Sequence, residues 1–383
     1  MNVRRAALLA PIFPVIALLL ATSAQAESVA NTIAVGTSPW GVAVSPSGGT
    51  AYVANRGSNT VSVINTSTNT VTATLSVGAN PAGLAVSPDG AYVYVANNGA
   101  SGANGVSVIT TSNNAVSSFS AGVNPYDVAV MPNSSKGYVV NRGSGAPGTV
   151  SVVSMPSGAI SSSITVGNVA VAIALSPNGS RAYVVNNNDG TLSVINTTTD
   201  AVINTVTVGA NPYDVAVSPD GNTIYVTNNG ASSLSIINAT TYSVTTVTGL
   251  STPAGIAITP DGSKAYIANR GNNTVSILDT ASRTITGSFA AGAGPFFIAI
   301  APNGPTGYIT DFNANSVMTF SIPVASSSQR DLSIWYQAIG RPSADSPCPT
   351  GYTSSWAQWP NGGTGGFTCN KSVYKYYPDE PVK

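Results

Sequence analysis

Pro39-Trp40-Gly41-Val42-Ala43-Val44-Ser45-Pro46, followed thirteen residues after Pro39 by Tyr52-Val53-Ala54-Asn55, is one copy of a unit that fills the chain from 28 to 324. The tyrosine recurs as Tyr94, Tyr138, Tyr183, Tyr225, Tyr266 and Tyr308. The proline recurs as Pro81, Pro125, Pro212, Pro253 and Pro295, with Ala170 in its place once, and the spacing from this position to the tyrosine is thirteen in all seven copies. The repeat period runs from 41 to 45 residues. A period of that length with four short strand patterns per copy predicts an all-β, seven-bladed propeller with four-stranded blades.

Period-two alternation marks the strands within a copy: Val42 and Val44 in the inner one, Tyr52 and Ala54 in the second, Val61 and Val63 in the third, Val71, Ala73 and Leu75 in the outer. Ser-Pro-Asp-Gly at 87–90 and 218–221 joins inner to second strand as a tight turn. Ala and Gly are frequent because neighbouring blades pack face on face near the axis. The seventh copy stops at Ile322 without an outer strand, while Ser28–Ala34 aligns with Thr70–Ser76, the outer strand of the first copy. The N-terminal strand is therefore expected to complete the seventh blade and close the ring.

Tyr-Val-x-Asn after Pro-x-Gly-Val-Ala-Val-Ser-Pro-Asp-Gly resembles the YVTN family of bacterial and archaeal β-propellers, including YncE-like and surface-layer-associated members. The likeness covers 28–324; Ala170 in place of Pro and Asp311 in place of the motif Asn are its departures. The resemblance implies an exported binding or surface protein and no single conserved reaction.

The first 26 residues differ from the repeats. Arg4 and Arg5 precede an apolar run from Ala6 to Ala21 and a small-x-small site, Ala24-Gln25-Ala26, the pattern of a cleavable secretory signal. The chain is expected in the periplasm or outside the cell, with no membrane span after cleavage. Only 7% of its 383 residues are charged, which argues against nucleic acid as a partner. Residues 325–383 form a separate small module holding Trp335, Trp356, Trp359 and both cysteines, Cys348 and Cys369. Export favours a disulfide between the two. The stretch from Trp356 to Gly363 has a loop-like composition. The module's aromatics suit either contact with sugars or a core of its own.

Chemistry is sparse. Residues 28–324 contain no His, Glu or Cys, whereas propeller enzymes such as lactonases, streptogramin-type lyases and haem-bearing reductases rely on His or Glu. No imidazole is available as ligand, acid or base, and no Asp-x-Asp-x-Asp-Gly calcium loop is present. No catalytic residue, metal or cofactor is expected. The alternatives are an enzyme working through Asp127 or Asp214, and binding of single-stranded nucleic acid by Tyr and Arg stacking.

A binding face is easier to derive. The outer-to-inner and second-to-third-strand connections should emerge together at one mouth of the central channel. The first kind brings Trp40, Tyr126, Asp127, Tyr213, Asp214, Phe296 and Phe297; the second brings Asn55-Arg56, Asn98, Asn141-Arg142, Asn229 and Asn269-Arg270. Rings, guanidinium forks, amides and two carboxylates suit a polar or glycan-like ligand. They would equally serve to cap the channel and satisfy loop carbonyls. Longer loops at 98–105 and 142–149 single out the sector holding Tyr126, Asp127 and Arg142. The expected partners are a glycan, a cell-envelope component or another protein, and the chain is expected to be a monomer.

Overall fold

The computed structural model describes residues 27–99, 105–144, 147–302 and 305–323, together with the backbone of 353–357 and 366–370. Contacts divide the chain into two units, Met1–Pro323 and Val324–Lys383.

The first unit is a seven-bladed propeller of four-stranded antiparallel sheets. Blade one runs Pro39–Val44, Thr50–Asn55, Thr60–Asn65 and Thr70–Ser76 from the axis outward. Blades two to six repeat that order. The seventh is composite. Its inner three strands are Pro295–Ile300, Thr306–Asp311 and Ser316–Ser321, and its outer strand is Val29–Ala34 from the start of the chain. Ile33 pairs with Val317 and is buried, while Asn31 Nδ2 donates to Thr319 Oγ1 at 3.3 Å. Among the described residues no helix is long and apolar enough to cross a membrane.

Apolar side chains gather into seven clusters, and each motif tyrosine marks one interface between blades. Tyr52 packs with Leu84, Val93, Val95 and Ile109 of the second blade. Tyr308 of the seventh packs with Ala51, Val53 and Ile64 of the first, so the last interface is built like the others. All seven tyrosines are at least 97% buried. Their fixed distance from the proline position keeps each ring at the same depth in its interface. Two interfaces add a polar clip. Tyr138 Oη and Lys136 Nζ both donate to Asp200 Oδ1 at 2.7 Å, and Asp200 stands in the turn before the outer strand of blade four. Lys264 Nζ and Tyr266 Oη donate to Glu27 in the same way at 2.5 and 3.4 Å. Glu27 precedes the outer strand of blade seven, so both carboxylates occupy one topological place.

The Asn that ends each second strand is structural rather than part of a ligand face. Asn55, Asn141 and Asn269 are no more than 1% exposed, and each donates Nδ2 to a serine of the third strand: Ser62 at 2.9 Å, Ser151 at 2.9 Å and Ser276 at 2.8 Å. This corrects the expectation that these amides line the mouth. Blade seven has Asp311 and Met318 at the two positions, a paired change that removes donor and acceptor together. Burial raises the Asp311 carboxyl above its ordinary range.

The second unit shows one antiparallel hairpin, Thr353–Ala357 with Gly366–Asn370. Trp356 and Ala357 thus lie on a strand, not in a loop. Cys348, and with it the expected bridge to Cys369, lies outside the described residues.

Candidate functional site

The residue before each inner strand has positive φ: Ser38, Asn80, Asn124, Val169, Asn211, Thr252 and Gly294. Asn and Gly take this left-handed conformation at low cost, while Val169 is there despite its branched Cβ. Each of these residues turns its carbonyl toward the second-to-third-strand loop of its own blade. There it accepts the backbone N–H of the residue after the motif Asn. The two kinds of loop therefore do meet at one mouth, and a ring of seven positions results: Arg56, Asn98, Arg142, Asn187, Asn229, Arg270 and Phe312.

Beneath that ring lies an aromatic plug. The second residue of successive inner strands is Trp40, Ala82, Tyr126, Val171, Tyr213, Ala254 and Phe296, and all but Ala254 belong to or pack on a single buried cluster. Trp40 and Phe296 rings are 4.0 Å apart between centroids, Tyr213 meets Phe296 edge-on at 5.5 Å, and Trp40 meets Tyr126 edge-on at 6.3 Å. Tyr126 and Tyr213 hydroxyls share a hydrogen bond of 2.9 Å past the smaller Val171. Exposure is 9% for Trp40, 4% for Tyr126 and 1% for Phe296. These rings fill the axis instead of standing open as stacking platforms.

Three guanidiniums cover the plug. Arg56 lies 4.4 Å from the Trp40 centroid, Arg270 4.5 Å from that of Phe296, and Arg142 5.6 Å from that of Tyr126. Such stacking holds the side chains over the mouth while leaving their N–H groups free to bond elsewhere. The charges of Arg270 and Arg56 reach the Tyr213 hydroxyl, although burial keeps it well above its usual range. Among the described residues none of the three arginines forms an ion pair; the two present are Lys136–Asp200 and Lys264–Glu27.

Asp127 and Asp214 are the next residues along their strands, and neither pairs with an arginine. Asp127 Oδ1 accepts from its neighbour Val128 N at 2.9 Å, and Oδ2 from Ile173 N of the following blade at 3.0 Å. Asp214 repeats this with Val215 at 2.9 Å and Ile256 at 2.9 Å. Each carboxylate thus ties an otherwise unpaired inner-strand N–H to the blade before it. The third inner-strand residue is Gly41, Gly83 or Gly255 in three other blades and Ala172 or Phe297 in the remaining two, and a Cβ at Gly83 would strike the Asp127 carboxylate. Burial pushes both acids up to about 7, the Ile173, Val128, Ile256 and Val215 N–H groups resisting; the Asp214 charge adds to the rise at Asp127.

Below about pH 4, the ordinary carboxyl value, folded and unfolded chains are both protonated and the pair costs nothing. As pH rises to about 7 the unfolded chain ionises first, so the folded state loses stability. Asp127→Asn with Asp214→Asn is expected to flatten this decline, at the cost of one carboxylate acceptor per site. Urea midpoints taken at intervals from pH 4.5 to 7.5 check it, and equal slopes in both proteins would refute it.

The favoured sector is only partly visible: residues 100–104 and 145–146 of its longer loops lie outside the described residues. Tyr126 and Arg142 are brought together there, as the spacing suggested. Asn187 and Phe312 were missed, although their place directly after the motif Asn or Asp was a usable signal.

Among known proteins, the family model described as "Lactonase, 7-bladed beta-propeller" matches residues 19–114. No curated protein matches the chain. A solved structure of hydrazine synthase from Kuenenia stuttgartiensis is similar, with a TM-score of 0.69 at 21% identity over 75% of this chain and 96% of that one. The propeller domain of Cps50 (Swd1) from Myceliophteria thermophila gives 0.65 at 14% identity, over 78% and 100%. At such identities these structures share the fold.

Proposed function

We propose that the chain is an exported, non-enzymatic recognition protein of the cell envelope or extracellular space, a YVTN-type propeller that binds its ligand over the arginine-covered mouth. The observation that carries this reading is the set of three guanidiniums stacked on the axial plug without an ion-pair partner among the described residues. A purely structural cap would not need unpaired cations there. The signal-like N-terminus and the uncharged polar composition fit a periplasmic or secreted site of action.

The test is retention of the full chain on isolated cell envelope. Arg56→Gln, Arg142→Gln and Arg270→Gln together should lower retention at least tenfold while leaving the melting temperature within a few degrees. Unchanged retention would remove the mouth from the account and turn attention to residues 325–383.

The family-model match supports a second reading, hydrolysis of a lactone. With no His or Glu in residues 28–324, the titrating carboxylates Asp127 and Asp214 would have to supply the general base. Both are already occupied by backbone N–H groups. Turnover of a lactone panel that disappears with Asp127→Asn and Asp214→Asn would favour the enzyme over the binding protein.

A further inference from the structure

The mouth carries a set of donors that have no partner among the described residues. Each guanidinium presents five N–H groups and no acceptor, and the guanidiniums of these three make no hydrogen bond to any described residue. Trp40 Nε1, also a donor only, is buried without a partner. So is Asn98 Nδ2, whereas the amides at the same ring position in other blades are used. Asn187 Nδ2 donates to the Pro212 carbonyl at 2.8 Å and Asn229 Nδ2 to that of Pro253 at 3.1 Å. Below the ring, Asn55, Asn97 and Asn141 Oδ1 are buried without a partner, each on an amide fixed by its Nδ2 bond to a third-strand serine, while the tyrosine and aspartate oxygens nearer the axis are committed. Tyr126 and Tyr213 bond each other, Asp127 and Asp214 hold backbone N–H groups, and Asp189 accepts from Asn168 N and Nδ2, both at 2.8 Å.

We propose that this mouth takes an acidic saccharide, one presenting at least two oxyanion groups, carboxylate or sulfate, to Arg56, Arg142 and Arg270, with Asn98 Nδ2 as a further donor. The inference rests on the recognition reading above and adds the ligand's chemistry to it. A planar guanidinium fork matches an oxyanion in geometry and charge. A neutral sugar offers donors and acceptors in equal measure and leaves much of the donor excess unmet. At least two groups are proposed because the three guanidiniums stand over three different rings, Trp40, Phe296 and Tyr126, and one bidentate oxyanion contact occupies one fork. A nucleic acid also carries oxyanions, but it needs open ring faces for its bases. Here the plug rings are covered by guanidiniums or by one another.

Dextran, sulfated dextran, polygalacturonate and an oligothymidylate, titrated calorimetrically into the full chain, distinguish the cases. Sulfated dextran, polygalacturonate or both should bind, and plain dextran should not. The bound complex should weaken at least tenfold between low salt and about 0.3 M salt, where the screening length is only a few ångströms. Arg56→Gln and Arg270→Gln should each weaken it about tenfold, and Asn98→Ala several-fold, with thermal unfolding showing that each variant is folded. The Arg56→Lys variant should retain more affinity than Arg56→Gln. A preference between the two acidic polymers would tell which oxyanion the mouth prefers. Plain dextran binding that the triple arginine variant loses would overturn the acidic ligand and leave recognition at the mouth standing. Sulfated dextran held equally by wild type and triple variant would overturn both. Tighter binding of oligothymidylate than of either acidic polymer would overturn the saccharide.

Discussion

Without residues 27–35 the propeller is expected to lose its closed form. The deletion strips Val29–Ala34 from the seventh blade and leaves Ser316–Ser321 as an open edge, with the backbone groups that met Val29, Asn31, Thr32, Ile33 and Ala34 unpaired. An exposed edge of that kind recruits other chains. Size-exclusion chromatography should show oligomers or aggregate, and limited proteolysis should attack blade seven first. The milder Ile33→Ala keeps the strand but empties part of the Tyr308 cluster, costing about 2–4 kcal/mol as core truncations do. A deletion variant that elutes as the full chain does, with an unchanged melting temperature, would mean that the ring holds without its shared strand.

Truncating a motif tyrosine should have a comparable effect. Tyr138→Ala removes the ring that fills the interface between blades three and four and takes the hydroxyl from Asp200. The expected loss is about 3–5 kcal/mol, the usual range for buried aromatic to alanine changes. The conservative change separates packing from hydrogen bonding. Tyr138→Phe should cost about 1 kcal/mol, because Asp200 keeps Lys136 but loses one donor. Tyr94→Phe should be neutral or slightly stabilising, since the Tyr94 hydroxyl is buried without a partner among the described residues. Burial, the Tyr92 hydroxyl and Asp89 raise that hydroxyl to about 12, so it stays protonated and alkaline pH offers no compensation. Denaturant unfolding of the three variants checks the ranking; an equal cost for the two phenylalanine changes would disprove the role given to Asp200.

The architecture was legible because it is written seven times. A constant distance from Pro39 or its equivalents to the tyrosine fixes both the strand register and the depth of each ring. The missing outer strand of the last copy, set against Ser28–Ala34 at the start, supplied the closure. The site was only half legible, and the reason is geometric. Residues meeting across the axis are far apart in sequence: Trp40 touches Phe296, and Tyr126 bonds Tyr213. Superposing the second residue of all seven inner strands gathers these side chains, but it does not say whether they leave a gap or fill it. Their summed bulk fills it. Likewise, the carboxylates of Asp127 and Asp214 look like free groups in the sequence. Only the bare inner-strand N–H groups of the following blades show why an acid is tolerated there. The amide ending each second strand misled for a related reason, since its partner serine lies seven or ten residues on and faces inward.

The shared seventh blade also sets an order of events in time. Val29–Ala34 is made before every other strand of the propeller, yet its partner Ser316–Ser321 is the last propeller strand to be made. Six blades can assemble from hairpins close in sequence, whereas this pairing must close almost the whole length of the propeller. Long-range pairing of that kind is slow because its loop entropy is lost before any contact compensates. The first strand therefore spends the synthesis of the chain waiting, and a nascent propeller of any shorter length has an unfinished rim.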